Sequence, residues 1–167
     1  GARVTGLDFS APAIGTARGL AERIGVEARF EVADVYHAVD VLGSTYDITY
    51  QSLGSLNWHP DMARWAGILH PLTRPGGRYC LLEGHPMGWV LDDAGEQVEY
   101  PYFPVPGGQR ISDDGGTYAD RRPETTHHET LEFSHPLSDG IQPLTDAGFL
   151  RAHHPLHMPG SGALKSA

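Results

Sequence analysis

Arg3-Val4-Thr5-Gly6-Leu7-Asp8-Phe9-Ser10-Ala11-Pro12 is the stretch that decides the fold. Arg3 to Leu7 reads as a short buried strand. Ser10 is a good helix N-cap, and Pro12 is tolerated in the first turn of the helix that follows. Apolar residues at Ala17, Leu20, Ala21 and Ile24 carry that helix on, and Gly25 is a natural stop. Asp8 therefore stands where a strand gives way to a helix. An acid there can accept two hydrogen bonds from a ribose diol, and nucleotide-like ligands lie along this edge of open α/β sheets. The plainer reading of Asp8 is an acid that complements the helix dipole.

The same pattern repeats outward from this unit. Ala28-Arg29-Phe30-Glu31-Val32-Ala33 reads as a second strand, closed by Asp34, and a short amphipathic segment spans Tyr36–Leu42. Tyr46-Asp47-Ile48-Thr49-Tyr50 is the next strand, with a Gly/Ser loop from Ser52 to Asn57 behind it. A helix is expected from about Pro60 to Leu69, then a turn at Arg74-Pro75-Gly76-Gly77 and a strand over Arg78–Glu83. Strand–helix alternation at this pitch implies βαβ units and a parallel sheet.

Residues 86–128 interrupt the alternation with Gly107-Gly108, Gly115-Gly116 and Tyr100-Pro101-Tyr102-Phe103-Pro104. Connections of this length tend to be functional, so the segment reads as an insertion able to cover a pocket. Regularity returns with a strand at Thr130–Ser134, a helix from Leu137 to Ala147 and a last strand over Phe149–His157. Residues 1–157 thus read as a single domain, and 158–167 as a frayed Gly/Ser-containing tail.

Twelve basic against twenty-one acidic residues give a net charge of −9, which disfavours a nucleic-acid partner. No apolar run approaches the roughly 20 residues that span a bilayer, so no membrane partner is expected and a cytoplasmic location is. The lone Cys80 sits in an apolar run and reads as a buried core thiol. Ten histidines raise the question of a metal. His153 and His157 are separated by Pro155, and neighbours such as His127 and His128 point to opposite strand faces, so no metal site is expected.

Four segments together resemble class I S-adenosylmethionine-dependent methyltransferases: Gly6–Ser10, Ala33-Asp34-Val35, Tyr46–Gly54 and Leu72–Tyr79 with its Pro-Gly-Gly turn. Trp58-His59-Pro60-Asp61-Met62 and Glu83-Gly84-His85-Pro86 are similar to a small bacterial subgroup of that family. The resemblance implies a Rossmann-like α/β fold, mostly parallel with an antiparallel C-terminal strand, and methyl transfer to a small-molecule acceptor. It implies that Asp8 holds the cofactor ribose, that Phe9 packs on the adenine, and that Asp34 and the Val35 backbone meet the adenine amino edge. Ser52, Leu53 and Gly54 would pass beneath the methionine portion of S-adenosylmethionine. His85 and His59, which follow strand ends, are the candidates for a catalytic base. The family's first strand and Gly-rich loop should precede the Asp8 strand, where only Gly1 and Ala2 stand, so an N-terminally truncated domain is expected. Two other readings stay open. One is a non-catalytic remnant or interaction module. The other is an NAD(P)-dependent oxidoreductase, which the absence of a Tyr-x-x-x-Lys pair disfavours, Lys165 being the one lysine.

Overall fold

In the computed structural model, residues 1–92, 94–112 and 129–150 are described. Strand β1 (Val4–Asp8) leads into helix α1 (Ala11–Ile24) and strand β2 (Ala28–Val32). A short 3-10 turn, Val35–His37, joins helix α2 (Ala38–Leu42), and strand β3 spans Tyr46–Gln51. Helix α3 (Met62–Leu72) and strand β4 (Thr73–Leu81) follow. Strands β5 (Gln109–Ser112) and β6 (Glu129–Glu132) precede helix α4 (Leu137–Asp146).

Local signals explain the first unit. The Ser10 hydroxyl accepts from the Ala13 amide at 3.3 Å, and Gly25 closes α1 in the left-handed conformation. β1 and β2 run parallel, with Asp8 opposite Val32. β3 and β4 form a second parallel pair, and β5 pairs antiparallel with β6.

The expected single sheet is therefore resolved into three two-stranded ladders among the described residues. The two parallel pairs meet through side chains rather than backbone. Leu7 of β1 and Tyr46 of β3 pack on one cluster formed by Ala38, Leu42, Ile68 and Leu72. The C-terminal antiparallel strand also has a different partner from the one expected. It pairs with β5, a strand inside the segment read as an insertion, and not with the parallel strands.

Helix α3 is the centre of the core. Asp61 caps it by accepting from the Arg64 amide at 2.9 Å. Met62, Trp65, Ala66, Leu69 and Leu72 fall at helical spacing on its buried face. The helix runs three residues beyond the expected Leu69, through Pro71, and the Thr73 hydroxyl donates back to the Leu69 carbonyl at 2.9 Å. A second cluster gathers Met62, Trp65, Ala66 and Leu69 against Tyr79, Leu144 and Phe149.

The Pro-Gly-Gly segment is a bulge inside β4. Tyr46 faces Thr73 and Ile48 faces Arg78, so the residues between are looped out of register. Gly76 has φ +75°, and a Cβ on Gly77 would lie 2.9 Å from the Asp47 carbonyl oxygen. Both glycines are dictated by this crossing of chains. Beyond the bulge Tyr79 turns toward α3, and the alternation of the strand sends Cys80 the other way. Cys80 is exposed, contrary to the expectation of a buried thiol. The last expected strand, Phe149–His157, and the tail lie outside the described residues except for Phe149 and Leu150. Among the described residues no helix is long and apolar enough to cross a membrane.

Candidate functional site

At the ends of β1 and β2 the chain makes the same local structure twice. Asp8 Oδ1 accepts from the Ser10 amide at 2.7 Å, and Asp34 Oδ1 accepts from the Tyr36 amide at 2.8 Å. Each carboxylate shapes its own exit turn with one oxygen and leaves Oδ2 without a partner among the described residues. The Asp8 carbonyl accepts from the Ala33 amide at 3.0 Å, which holds the two turns side by side. Phe9 projects outward and is 78% exposed. Val35 opens the turn that Asp34 caps.

The exit of β3 is held by a group from β4's end. Glu83 Oε1 accepts from the amides of Gly54 (2.8 Å) and Gly84 (2.8 Å). Its Oε2 accepts from the amides of Ser55 (2.9 Å) and Leu56 (3.2 Å). One carboxylate thus ties the Ser52–Gly54 loop to the strand beside it. The Gly54 carbonyl also accepts from the Trp58 indole N–H at 3.0 Å, and Ser55 Oγ donates to the Ser52 carbonyl at 2.7 Å. Leu53 stands exposed at the loop's tip.

Behind this loop lies a satisfied polar network. Gln51 Oε1 accepts from Trp65 Nε1 and from the Tyr79 hydroxyl, both at 2.9 Å. The Gln51 amide nitrogen meets Ser55 Oγ at 2.9 Å and His59 Nε2 at 3.1 Å. His59 Nε2 therefore accepts, and the ring is held neutral. It is 9% exposed, stacked on Trp65 and edge-on to Tyr36. Burial, then the neighbouring His135, lower its pKa from the ordinary value. Burial raises the Tyr79 phenol strongly.

On the other side of Glu83 opens a cavity of about 670 Å³. Glu83, Asp92, Glu99 and Glu132 contribute carboxylates to its lining. Trp89, Tyr100, Tyr102 and Phe133 contribute aromatic rings. No arginine or lysine lines it among the described residues. The Trp89 indole lies over Gly84, where a Cβ would come within 3.0 Å of Nε1, and it is 62% exposed. His135 shares the lining and donates from Nε2 to the His59 carbonyl at 2.8 Å. Nδ1 of that ring has no partner among the described residues, and burial lowers the His135 pKa, against the opposing pull of the His59 carbonyl and Asp139.

The structure thus brings Asp8, Phe9, Asp34 and Val35 together at one pair of strand ends, and Ser52, Leu53 and Gly54 at another. It puts the two histidine candidates elsewhere. His59 is packed into the core network, and exposed His85 accepts from the Met87 amide at 3.2 Å through Nδ1, capping the turn Pro86–Val90. Neither lines the cavity beside Glu83. Four residues of this region, Gln51, Glu83, Glu132 and His135, were given no role by the sequence reading. For Glu83 the signal was present, since an acid closing a strand-like run is what singled out Asp8 and Asp34.

A methyltransferase is what this chain is similar to. It is 36% identical over 86 residues to the demethylmenaquinone methyltransferase of Thermus thermophilus, an alignment covering 52% of this chain and 38% of the relative. The chain therefore spans well under half the length of the curated relative it matches. A solved structure from work on the conversion of a disulfide bond into a thioacetal group during echinomycin biosynthesis matches at 29% identity. That match covers 60% of this chain and 46% of the other, with a TM-score of 0.45. No family model matches the chain.

Proposed function

We propose that this chain is part of a Rossmann-like, S-adenosylmethionine-dependent methyltransferase that acts on a small-molecule acceptor. The observation that carries the reading is the pair of parallel strands β1 and β2, one ending in Asp8 and the other followed by Asp34, each an exposed aspartate whose Oδ2 has no partner among the described residues, in a chain with methyltransferase similarity over half its length. These residues fit the cofactor. Asp8 Oδ2 is open to a ribose diol, Asp34 Oδ2 to an amino group, and the exposed ring of Phe9 offers an apolar face to a purine. Ser52, Leu53 and Gly54 are assigned to the methionine portion. S-adenosylmethionine supplies, when bound, a methyl group already attached to a good leaving group.

The protein's own work is then mostly orientation. Glu83 fixes the Gly54–Leu56 backbone from one side and borders the cavity from the other, so the loop assigned to the methyl donor and the space assigned to the acceptor share one rigid element. His135 Nδ1 borders the same space and is available to take a proton where the acceptor carries one.

The test is calorimetric titration of the full-length protein with S-adenosylhomocysteine. Binding is expected, and Asp8→Ala should weaken it by more than ~10-fold, because a charge-assisted hydrogen bond contributes about 1.5–3 kcal/mol. An unchanged dissociation constant in that variant moves the site away from β1.

A further inference from the structure

The cavity beyond Glu83 has an electrostatic imbalance that the methyl-transfer reading leaves unexplained. Among the described residues the partners of its carboxylates are neutral. Glu83 is bonded by backbone amides, as is Asp92, through the amides of Glu96 and Gln97 at 2.8 and 3.3 Å. Glu132 accepts from the Asn57 side-chain amide and the Thr130 hydroxyl, both at 2.9 Å. Glu99 has no side-chain partner among the described residues. The ion pairs of the described residues lie elsewhere: Arg29 with Glu31, Arg74 with Asp47, and Arg110 with Glu129. Four negative charges thus border one concave space without a counter-charge among the described residues.

A second observation points the same way. Trp89 presents its indole to solvent at the cavity, 62% exposed, and stacks on no other ring among the described residues. Gly84 has the one side chain small enough to let that indole lie against the strand end beside Glu83. An open indole face is the best natural surface for an organic cation, and carboxylates next to it add attraction that water screens less in a recess than on a flat surface. Among the described lining residues a carboxylate or phosphate ligand would meet only like charge.

We propose that this cavity binds a small organic cation of the amine class, held between Trp89 and the carboxylates of Glu132 and Glu83, and that such an amine is the methyl acceptor. The second clause rests on the methyltransferase reading above. The step balances simply. The bound ammonium releases one proton to solvent, its nitrogen lone pair forms the new N–C bond, and the electron pair of the breaking C–S bond returns to the donor sulfur, leaving a neutral thioether.

The probes are phenethylamine, phenethyl alcohol and phenylacetate, which share a skeleton and differ in charge. Each is titrated by calorimetry into the full-length protein, with and without S-adenosylhomocysteine. The amine is expected to bind at least ~10-fold tighter than the alcohol, and the carboxylate weakest, with the amine's advantage shrinking in high salt. Trp89→Leu and Glu132→Gln should each weaken the amine about 5-fold or more while melting temperatures and S-adenosylhomocysteine affinity stay unchanged. Equal affinities across the three probes, a preference for phenylacetate, no binding of any of them, or amine binding indifferent to both substitutions overturns the proposal. Binding of S-adenosylhomocysteine without amine selectivity overturns this inference and leaves the methyl-transfer reading standing. Amine selectivity without S-adenosylhomocysteine binding overturns the acceptor assignment and the methyl-transfer reading, and keeps the cation site.

Discussion

The β1–α1–β2 unit and the β3–α3–β4 unit are built from the same sequence logic, yet they are stabilised differently. In the first, Ile14 is the single buried residue of α1, and no residue of either strand is fully buried. Its shape comes from caps and aspartate turns. In the second, Trp65 and Ala66 are completely buried, and the Gln51 amide, the Tyr79 phenol and the Trp65 indole satisfy one another around them. The candidate cofactor acids thus stand on the unit with the thinner core, and the cavity leans on the unit with the thicker one. Local backbone chemistry can place a ligand-binding carboxylate without much burial, whereas a cavity wall needs packed support behind it.

The comparison breaks or sharpens on a graded series of substitutions followed by chemical or thermal unfolding. Trp65→Ala should have the largest effect, about 3–5 kcal/mol, because it empties the centre of the second unit. Gln51→Leu comes next. It strands the Trp65 N–H and the Tyr79 O–H, each costing about 1–3 kcal/mol when buried without an acceptor. Ile14→Ala should cost about 2 kcal/mol, at the low end for a buried isoleucine, since the surface around it can relax. A loss from Ile14→Ala that matches Trp65→Ala would erase the distinction between the units.

Smaller still is a pH effect centred on the second unit, through His59 and the His135 side chain bonded to its carbonyl. His59 and His135 both have pKa values lowered by burial from the ordinary 6.5. In the unfolded chain each takes up a proton as the pH falls through about 6.5, while in the folded chain each does so only at lower pH. The unfolded state therefore binds more protons in that window, and stability should fall as pH drops below about 6.5. Above it these two groups contribute no slope. Urea titrations at pH 7.5, 6.5 and 5.5 check the sign, and His59→Gln should flatten part of the slope. The smallest stability effect belongs to Asp8→Ala, about 0.5–1 kcal/mol, the loss of one exposed turn hydrogen bond. The same variant is the one expected to lose cofactor affinity, so the two readouts should separate cleanly.

What the sequence disclosed follows the same divide. Helix α1 was legible to its ends because Ser10, Pro12 and Gly25 are local instructions. β3 was legible from its β-branched and aromatic run. The pairing of Gln109 with Glu132 was not legible, because a four-residue strand carries little periodicity and its partner lies beyond a long intervening segment. The exposure of Cys80 was hidden because an apolar run does not say which of its two faces a sheet will cover. At the site, Asp8 and Asp34 were readable as acids closing strands. The Glu83 clamp was not, since the amides it serves lie nearly thirty positions upstream.

That clamp has a kinetic consequence. Amides in an irregular loop normally trade their hydrogens with solvent almost as fast as an unfolded chain does, because no ladder shields them. The amides of Gly54, Ser55 and Leu56 share a single acceptor with Gly84, so they cannot open independently of it. The four should appear in a deuterium-exchange time course as one slow, synchronous group amid fast neighbours. Replacing Glu83 with alanine should release all four at once, turning one carboxylate into the gate on a whole loop's breathing.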